Sequence, residues 1–175
     1  IDSATSTVDI ATTRIVLRPI YNAILRAAAR GVKVQIVVNQ DQYDPIQVRK
    51  TKELPICEDE YSEDCNKEQN YPWFLDHENY PGKENVVVRV KFFSLQLAVT
   101  LAKQMHSKYL VVDGKRVVSG SFNWSSSSEW NHIENLIDFN GEEYPGMLGA
   151  FMTNQDFVFA QGRDNYKSYL DSIEN

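Results

Sequence analysis

A chain of 175 residues suits one domain, and a domain of this size buries roughly 70% of its unfolded surface, so a sizeable core is available. A formal charge of −6 argues against nucleic-acid binding by bulk basicity, because nonspecific affinity grows with the number of phosphates neutralised. No stretch reads as a transmembrane helix, and repeats and low-complexity tracts are missing apart from Ser125 to Ser128.

The chain opens on Ile1 rather than a methionine, from which removal of a leader or a first strand is expected. Residues 8–12 read as a strand. Ile20, Ala23, Ile24 and Ala27 then recur at helical spacing before Gly31, a natural C-terminal stop, and the run VKVQIVV follows as a buried strand. Strand, helix, strand with short joints predicts a right-handed crossover and an α/β fold: a mixed, largely parallel β-sheet flanked by helices, with a hairpin added.

Charge is uneven. Residues 1–52 carry 8 basic and 4 acidic side chains and residues 85–121 carry 6 and 1, whereas residues 53–84 carry 2 and 10 and residues 122–175 carry 2 and 9. The acidic stretch at about 53–84, bounded by prolines and holding both cysteines, reads as a surface insertion in the single domain 1–175. Cys57 and Cys65 would close a small loop, so a disulfide and a periplasmic or secreted location are expected, with two unpaired thiols as the alternative. Carboxylates around two thiols are not a zinc ligand set, and the loop lacks EF-hand spacing; no metal and no cofactor is expected. The run FFSLQLAVTLA is too short to cross a bilayer, though as an exposed amphipathic segment it would favour a lipid substrate.

The stretch QMHSKYLVVDGKRVVSGSFN carries the chemistry. It alternates up to Asp113-Gly114, the strongest short signal for a two-residue hairpin turn. With that turn Val112 pairs with Lys115, Lys108 lies opposite Ser119, and His106 lies opposite Ser121. His106, Lys108, Ser121 and Asn123 then converge on one face. Such a patch suits a phosphodiester: Lys108, Ser121 and Asn123 supply positive charge and donors to the non-bridging oxygens, and His106 supplies a nucleophilic nitrogen. A lone strand histidine is more often structural, and a lone lysine more often a solvated face. Six residue types at fixed spacing in one hairpin are much harder to obtain by chance. Asp113 is the weakest member, because any tight turn would choose Asp before Gly.

An imidazole nucleophile needs an acceptor on its other nitrogen. In NHIENLIDF the alternation places Ile133, Asn135, Ile137 and Phe139 on one face and Glu134 on the other, which makes Glu134 the candidate. Ser126 and Glu129 have capping-box spacing and read equally well as a solvated turn. Trp124 and Trp130, with Tyr43, Phe92 and Phe93, could form an aromatic rim, although core packing is favoured for Phe92 or Phe93.

The pattern H-x-K-x4-D-x6-G-S-x-N followed by a glutamate, across QMHSKYLVVDGKRVVSGSFNWSSSSEWNHIENLI, resembles the phospholipase D superfamily. The opening IDSA, the helix ending at RGVKVQIVV and the closing QGRDNY are similar to its single-motif bacterial nucleases. The resemblance implies metal-independent phosphodiester cleavage through a phosphohistidine on His106. Lys108 and Asn123 would hold the phosphate, Glu134 would orient the histidine, and Asp113 would support. It also implies that two motifs meet, one histidine attacking while the other protonates the leaving group. Since His77 and His132 lack the pattern, a symmetric homodimer with its two-fold axis near His106 is expected to supply the second. Nucleic acid is the expected substrate, phospholipid the alternative, and a binding protein without catalysis a third reading that the intact motif opposes.

Overall fold

The structure is a computed structural model and describes residues 1–43, 61, 69–92 and 104–164. Cys57, Cys65, Phe93 and the rest of the run after it lie outside the described residues, as do residues 53–60 and 62–68 of the acidic stretch.

Six strands form one sheet in the order β3-β2-β1-β4-β5-β6. They are β1 (Thr7–Thr12), β2 (Lys33–Asn39), β3 (Val86–Lys91), β4 (Lys108–Val112), β5 (Arg116–Gly120) and β6 (Leu136–Asn140). β1, β2 and β3 pair in parallel; β4, β5 and β6 continue the sheet from β1 in antiparallel fashion. The fold is α/β as expected, and the sheet is mixed, parallel on one side of β1 and antiparallel on the other.

Between β1 and β2 runs α1 (Arg18–Ala29), whose Ile24, Ala27 and Ala28 are fully buried. Gly31, at φ +88°, ends it where the periodicity predicts, with the amides of Gly31 and Val32 bonded to the carbonyls of Ala28 and Ala27. Alternation along the strands sorts side chains to two faces. Val8, Ile10, Val34, Ile36, Val38, Val88 and Val90 meet α1 and α2 (Tyr71–His77). Each such buried aliphatic stabilises by about 1.5–3 kcal/mol relative to exposure. Ala11, Val37, Val111 and Val117 meet Phe151, Met152 and Phe159 of α4 (Pro145–Gln161) on the other face. A short α3 (Ser126–Trp130) follows β5.

Three details differ from the sequence reading. The hairpin turn contains three residues, since Val112 pairs with Arg116 and Tyr109 with Ser119. Asp113 and Gly114 both have positive φ, 53° and 60°, and the Lys115 amide closes the turn on the Val112 carbonyl. The register therefore shifts by one, and Ser119 faces the α4 side with Tyr109 rather than standing opposite Lys108. Within the expected surface insertion, residues 71–77 form α2, and its Tyr71 and Leu75 are buried in the core. Ser125, not Ser126, caps α3, accepting from the Ser128 amide at 3.4 Å. Phe92 is buried, as favoured.

Candidate active site

Parallel strands leave a crevice at their carboxyl ends, and a strand flanked on one side by a parallel and on the other by an antiparallel neighbour is where it opens. β1 is that strand. Beyond Thr12 of β1 and Asn39 of β2 lies a cleft of about 740 Å³ whose described walls include His106, Asn123, His132, Arg14 and the serines 125–128. Carboxamides from Asn39, Gln42, Gln69 and Asn70 line the β2 side, and Val16 is its one apolar residue among those described.

His106 enters the cleft just before β4 and is exposed. Lys108 opens β4, paired with Thr12 in β1, and is buried. Its Nζ donates to the His106 carbonyl at 2.9 Å and lies 3.3 and 3.5 Å from the two ring nitrogens. Burial lowers the Lys108 pKa, and the charge of nearby Glu134 opposes that.

Asn123 reaches the cleft from the loop after β5, whose path is held at two points. Its amide donates to the buried Ser128 hydroxyl at 3.2 Å, and the next carbonyl, Trp124, accepts from the Val16 amide at 3.0 Å. Trp124 itself is buried with φ 55°, an unusual conformation for a bulky residue that fixes the loop's reversal.

Ser121 is not at the cleft wall. Its hydroxyl donates to Glu134 and accepts from the Asn135 amide at 3.0 Å, so it fastens Glu134 to the end of β5 instead of offering a donor to a phosphate. Gly120 permits this closeness: a Cβ there would stand 2.0 Å from the Asn135 carbonyl oxygen. Hydrogen bonds from Ser121 and Ser128, together with His132, hold the Glu134 carboxyl below the usual range. The imidazole facing Glu134 is that of His132, with Nδ1 3.6 Å from Oε1. Among the described contacts none joins Glu134 to His106; Glu134 meets the motif at the Ser121 hydroxyl, and its charge acts on Lys108.

Asp113 sits at the opposite end of β4, about 16 Å from Lys108 at the usual rise per residue. Its carboxylate accepts from the amides of Thr5, Ser6 and Thr7 and the hydroxyls of Thr5 and Ser6 at 2.7–3.1 Å. Partial burial would raise its pKa, but the donors prevail and hold it far below the usual carboxylate range. The structure thus brings His106, Lys108, Asn123 and Glu134 to one end of the hairpin, uses Ser121 as a brace, and places Asp113 in the anchor of the N-terminal segment.

Sequence reasoning missed Arg14 and Thr13, which follow β1 into the cleft, and set aside His132 for want of a surrounding pattern. The signal for the first two was available: they directly follow the first parallel strand, where open α/β sheets bind ligands.

Residues 1–145 match the family described as cardiolipin synthase, PLD-like domain. Over 62 residues the chain is 31% identical to the mitochondrial cardiolipin hydrolase of Danio rerio, a stretch that covers 35% of this chain and 27% of that relative. Among solved structures, NucT from Helicobacter pylori superposes with a TM-score of 0.67 at 23% identity, covering 94% of this chain and 85% of that one. Nuc from Salmonella typhimurium, a phospholipase D family member, does so with a TM-score of 0.62 at 21% identity, covering 94% and 84%. Motif, fold and family match agree, and the chain belongs to the phospholipase D superfamily, whose members are phosphodiesterases.

Proposed function

We propose that the chain is a metal-independent phosphodiesterase that cleaves nucleic acid through a phosphohistidine on His106, working as a homodimer. The observation that carries this reading is the cleft itself: its lining residues, Asn123 and the exposed His106 among them, are polar except for Val16, and the buried Lys108 reaches His106 from behind it. A polar cleft suits a sugar-phosphate strand better than acyl chains.

In the first step His106 attacks phosphorus, the bond to the leaving oxygen breaks, and a second imidazole gives that oxygen its proton. In the second, water attacks the phosphohistidine, the same imidazole takes the water's proton, and the phosphorus–nitrogen bond breaks. Lys108 and Asn123 oppose the charge on the non-bridging oxygens, and Glu134 keeps the Lys108 ammonium charged despite its burial. A second copy of His106 is the proton carrier. Support for a dimer comes from the sheet edge: β6 is the last strand, and Ile133, Leu136 and Ile137 on or beside it are 104%, 57% and 58% exposed. An apolar, unpaired edge of this kind calls for a cover. The patch adjoins the cleft, since Ile133 follows His132, so an isologous contact there would bring two clefts together.

Phospholipid is the second reading. It draws on the stretch shared with cardiolipin hydrolase and on a largely apolar recess of about 160 Å³ that Lys108 lines together with Leu110, Phe122 and Leu136. No helix among the described residues is long and apolar enough to cross a membrane. A periplasmic or secreted location, resting on Cys57 and Cys65, is part of the same proposal and predicts thiols that react only after reduction.

Plasmid nicking in excess EDTA by the wild type and His106→Ala, beside headgroup release from phospholipid vesicles, tests the reading. Nicking that persists in EDTA and disappears in the variant supports it. Intact plasmid with His106-dependent headgroup release transfers the assignment to lipid.

A further inference from the structure

Arg14 has no place in the superfamily motif, yet it lines the same cleft as His106. β1 and β4 are antiparallel, with Val8 opposite Val112 and Thr12 opposite Lys108. The pairing ends there; Arg14 lies two residues past it on one chain segment and His106 two residues before it on the other, and both line the cleft. The chain then runs on to Val16, bonded to the Trp124 carbonyl, so the Arg14 loop is also held against the loop that carries Asn123. Position and chain path converge on the nucleophile.

The Arg14 side chain is exposed and has no ion pair or hydrogen bond among the described residues. Every other described arginine has a partner: Arg26 and Arg30 hold Asp2 and nearby carbonyls, Arg116 holds Asp138, Arg89 and Arg163 bond to carbonyls, and Arg18 is engaged too. Next to it, the Thr13 hydroxyl is buried with no hydrogen-bond partner among the described residues. The acid lining the cleft, Asp41, stands on the β2 side, bonded by Asn39 at 3.1 Å, and leaves the β1–β4 side to anions.

We propose that Arg14 binds the phosphate next to the scissile one, so that the preferred substrate is a chain of phosphodiesters, a nucleic-acid strand. The inference rests on the proposed function, in which Lys108 and Asn123 hold the scissile phosphate and leave Arg14 for a second. A guanidinium presents paired donors that match two phosphate oxygens. A zwitterionic lipid with a single phosphate offers it nothing.

The test compares a single-stranded oligonucleotide with bis(p-nitrophenyl) phosphate, a lone diester, in excess EDTA across a salt series, for wild type, Arg14→Ala, Arg14→Lys and His106→Ala. For Arg14→Ala the oligonucleotide KM rises about tenfold, several times more than the KM for the small diester. Its slope of log KM against log salt shrinks by about 0.7, one phosphate contact on a single strand. Arg14→Lys restores the slope but only part of the KM. Equal KM increases on the two substrates, or an unchanged oligonucleotide KM, overturn the proposal. Failure of the wild type to cleave either diester, or full cleavage by His106→Ala, removes the proposed function itself, a result distinct from any Arg14 outcome.

Discussion

The two ends of β4 are built on opposite plans. At the turn end, Asp113 has more donors than its carboxylate can fully use, from a segment more than 100 residues earlier in the chain. At the cleft end, His106 is exposed, Arg14 has no described partner and the Thr13 hydroxyl is unsatisfied. Polar groups that are saturated hold a structure, and polar groups left open await a ligand. The signature histidine, lysine and aspartate therefore divide into two jobs, although they lie within eight residues of each other.

Variants at the two ends sharpen that contrast. His106→Ala is expected to lower kcat by about 10⁴-fold or more while leaving Tm almost unchanged, because the proposed nucleophile is exposed and makes few packing contacts. Measuring both quantities on one preparation decides it; a large fall in Tm would move His106 to the structural side. Separating the proposed dimer comes next. Leu136→Lys with Ile137→Lys places charge on the exposed edge, and turnover should fall by about 10² to 10⁴ with the loss of the second imidazole, alongside a monomer in sedimentation. A monomer with full activity ends the two-copy mechanism.

Gly120→Ala attacks the joint between the two regions. The added Cβ meets the Asn135 backbone at 2.0 Å, so β6 must shift, and Glu134 with it. A destabilisation of about 1–3 kcal/mol accompanied by lower kcat is expected from denaturant melts and turnover; unchanged values would mean that β6 yields freely.

Much of this was legible in the sequence, and the illegible parts have specific causes. β1, α1 and β2 follow from alternation, helical spacing and Gly31, all local signals. The hairpin was legible too, but not its register, because Asp113 itself adopts a positive φ and lengthens the turn by one residue, which Asp-Gly alone does not reveal. α4 went unread since its apolar residues surround the helix, with Met147 and Phe157 exposed while Phe151 and Phe159 pack inward. In the site, His106, Lys108 and Asn123 come from the motif, whereas the real neighbours of Glu134 depend on the β5–β6 pairing. Arg14 was legible as a residue just past β1, but that it shares a cleft with His106 depends on the β1–β4 pairing, a long-range fact.

The smallest effects expected concern pH, and they oppose one another on neighbouring elements. Asp113 has a folded pKa depressed below the unfolded value, so its stabilisation is complete above the ordinary carboxylate pKa of about 3.9 and is lost as pH falls through the folded value. Asp113→Asn should cost about 2 kcal/mol at pH 7, a Tm drop of roughly 4–8 °C, with the gap closing below about pH 4 and kcat at 20 °C unchanged. Asp9 is the reverse. Burial, with Asp156 adding repulsion, raises its pKa, so the charged form weakens the fold at neutral pH and stability is regained as pH falls through the folded pKa. Asp9→Asn is therefore expected to raise stability slightly at pH 7, by less than about 1 kcal/mol, and to lose that advantage in acid. Melting both variants from pH 7 to pH 3 gives curves that approach the wild type from opposite sides. If both approach from below, Asp9 has a favourable partner in the fold, and the electrostatic contrast between the saturated turn and the crowded acid on β1 is wrong.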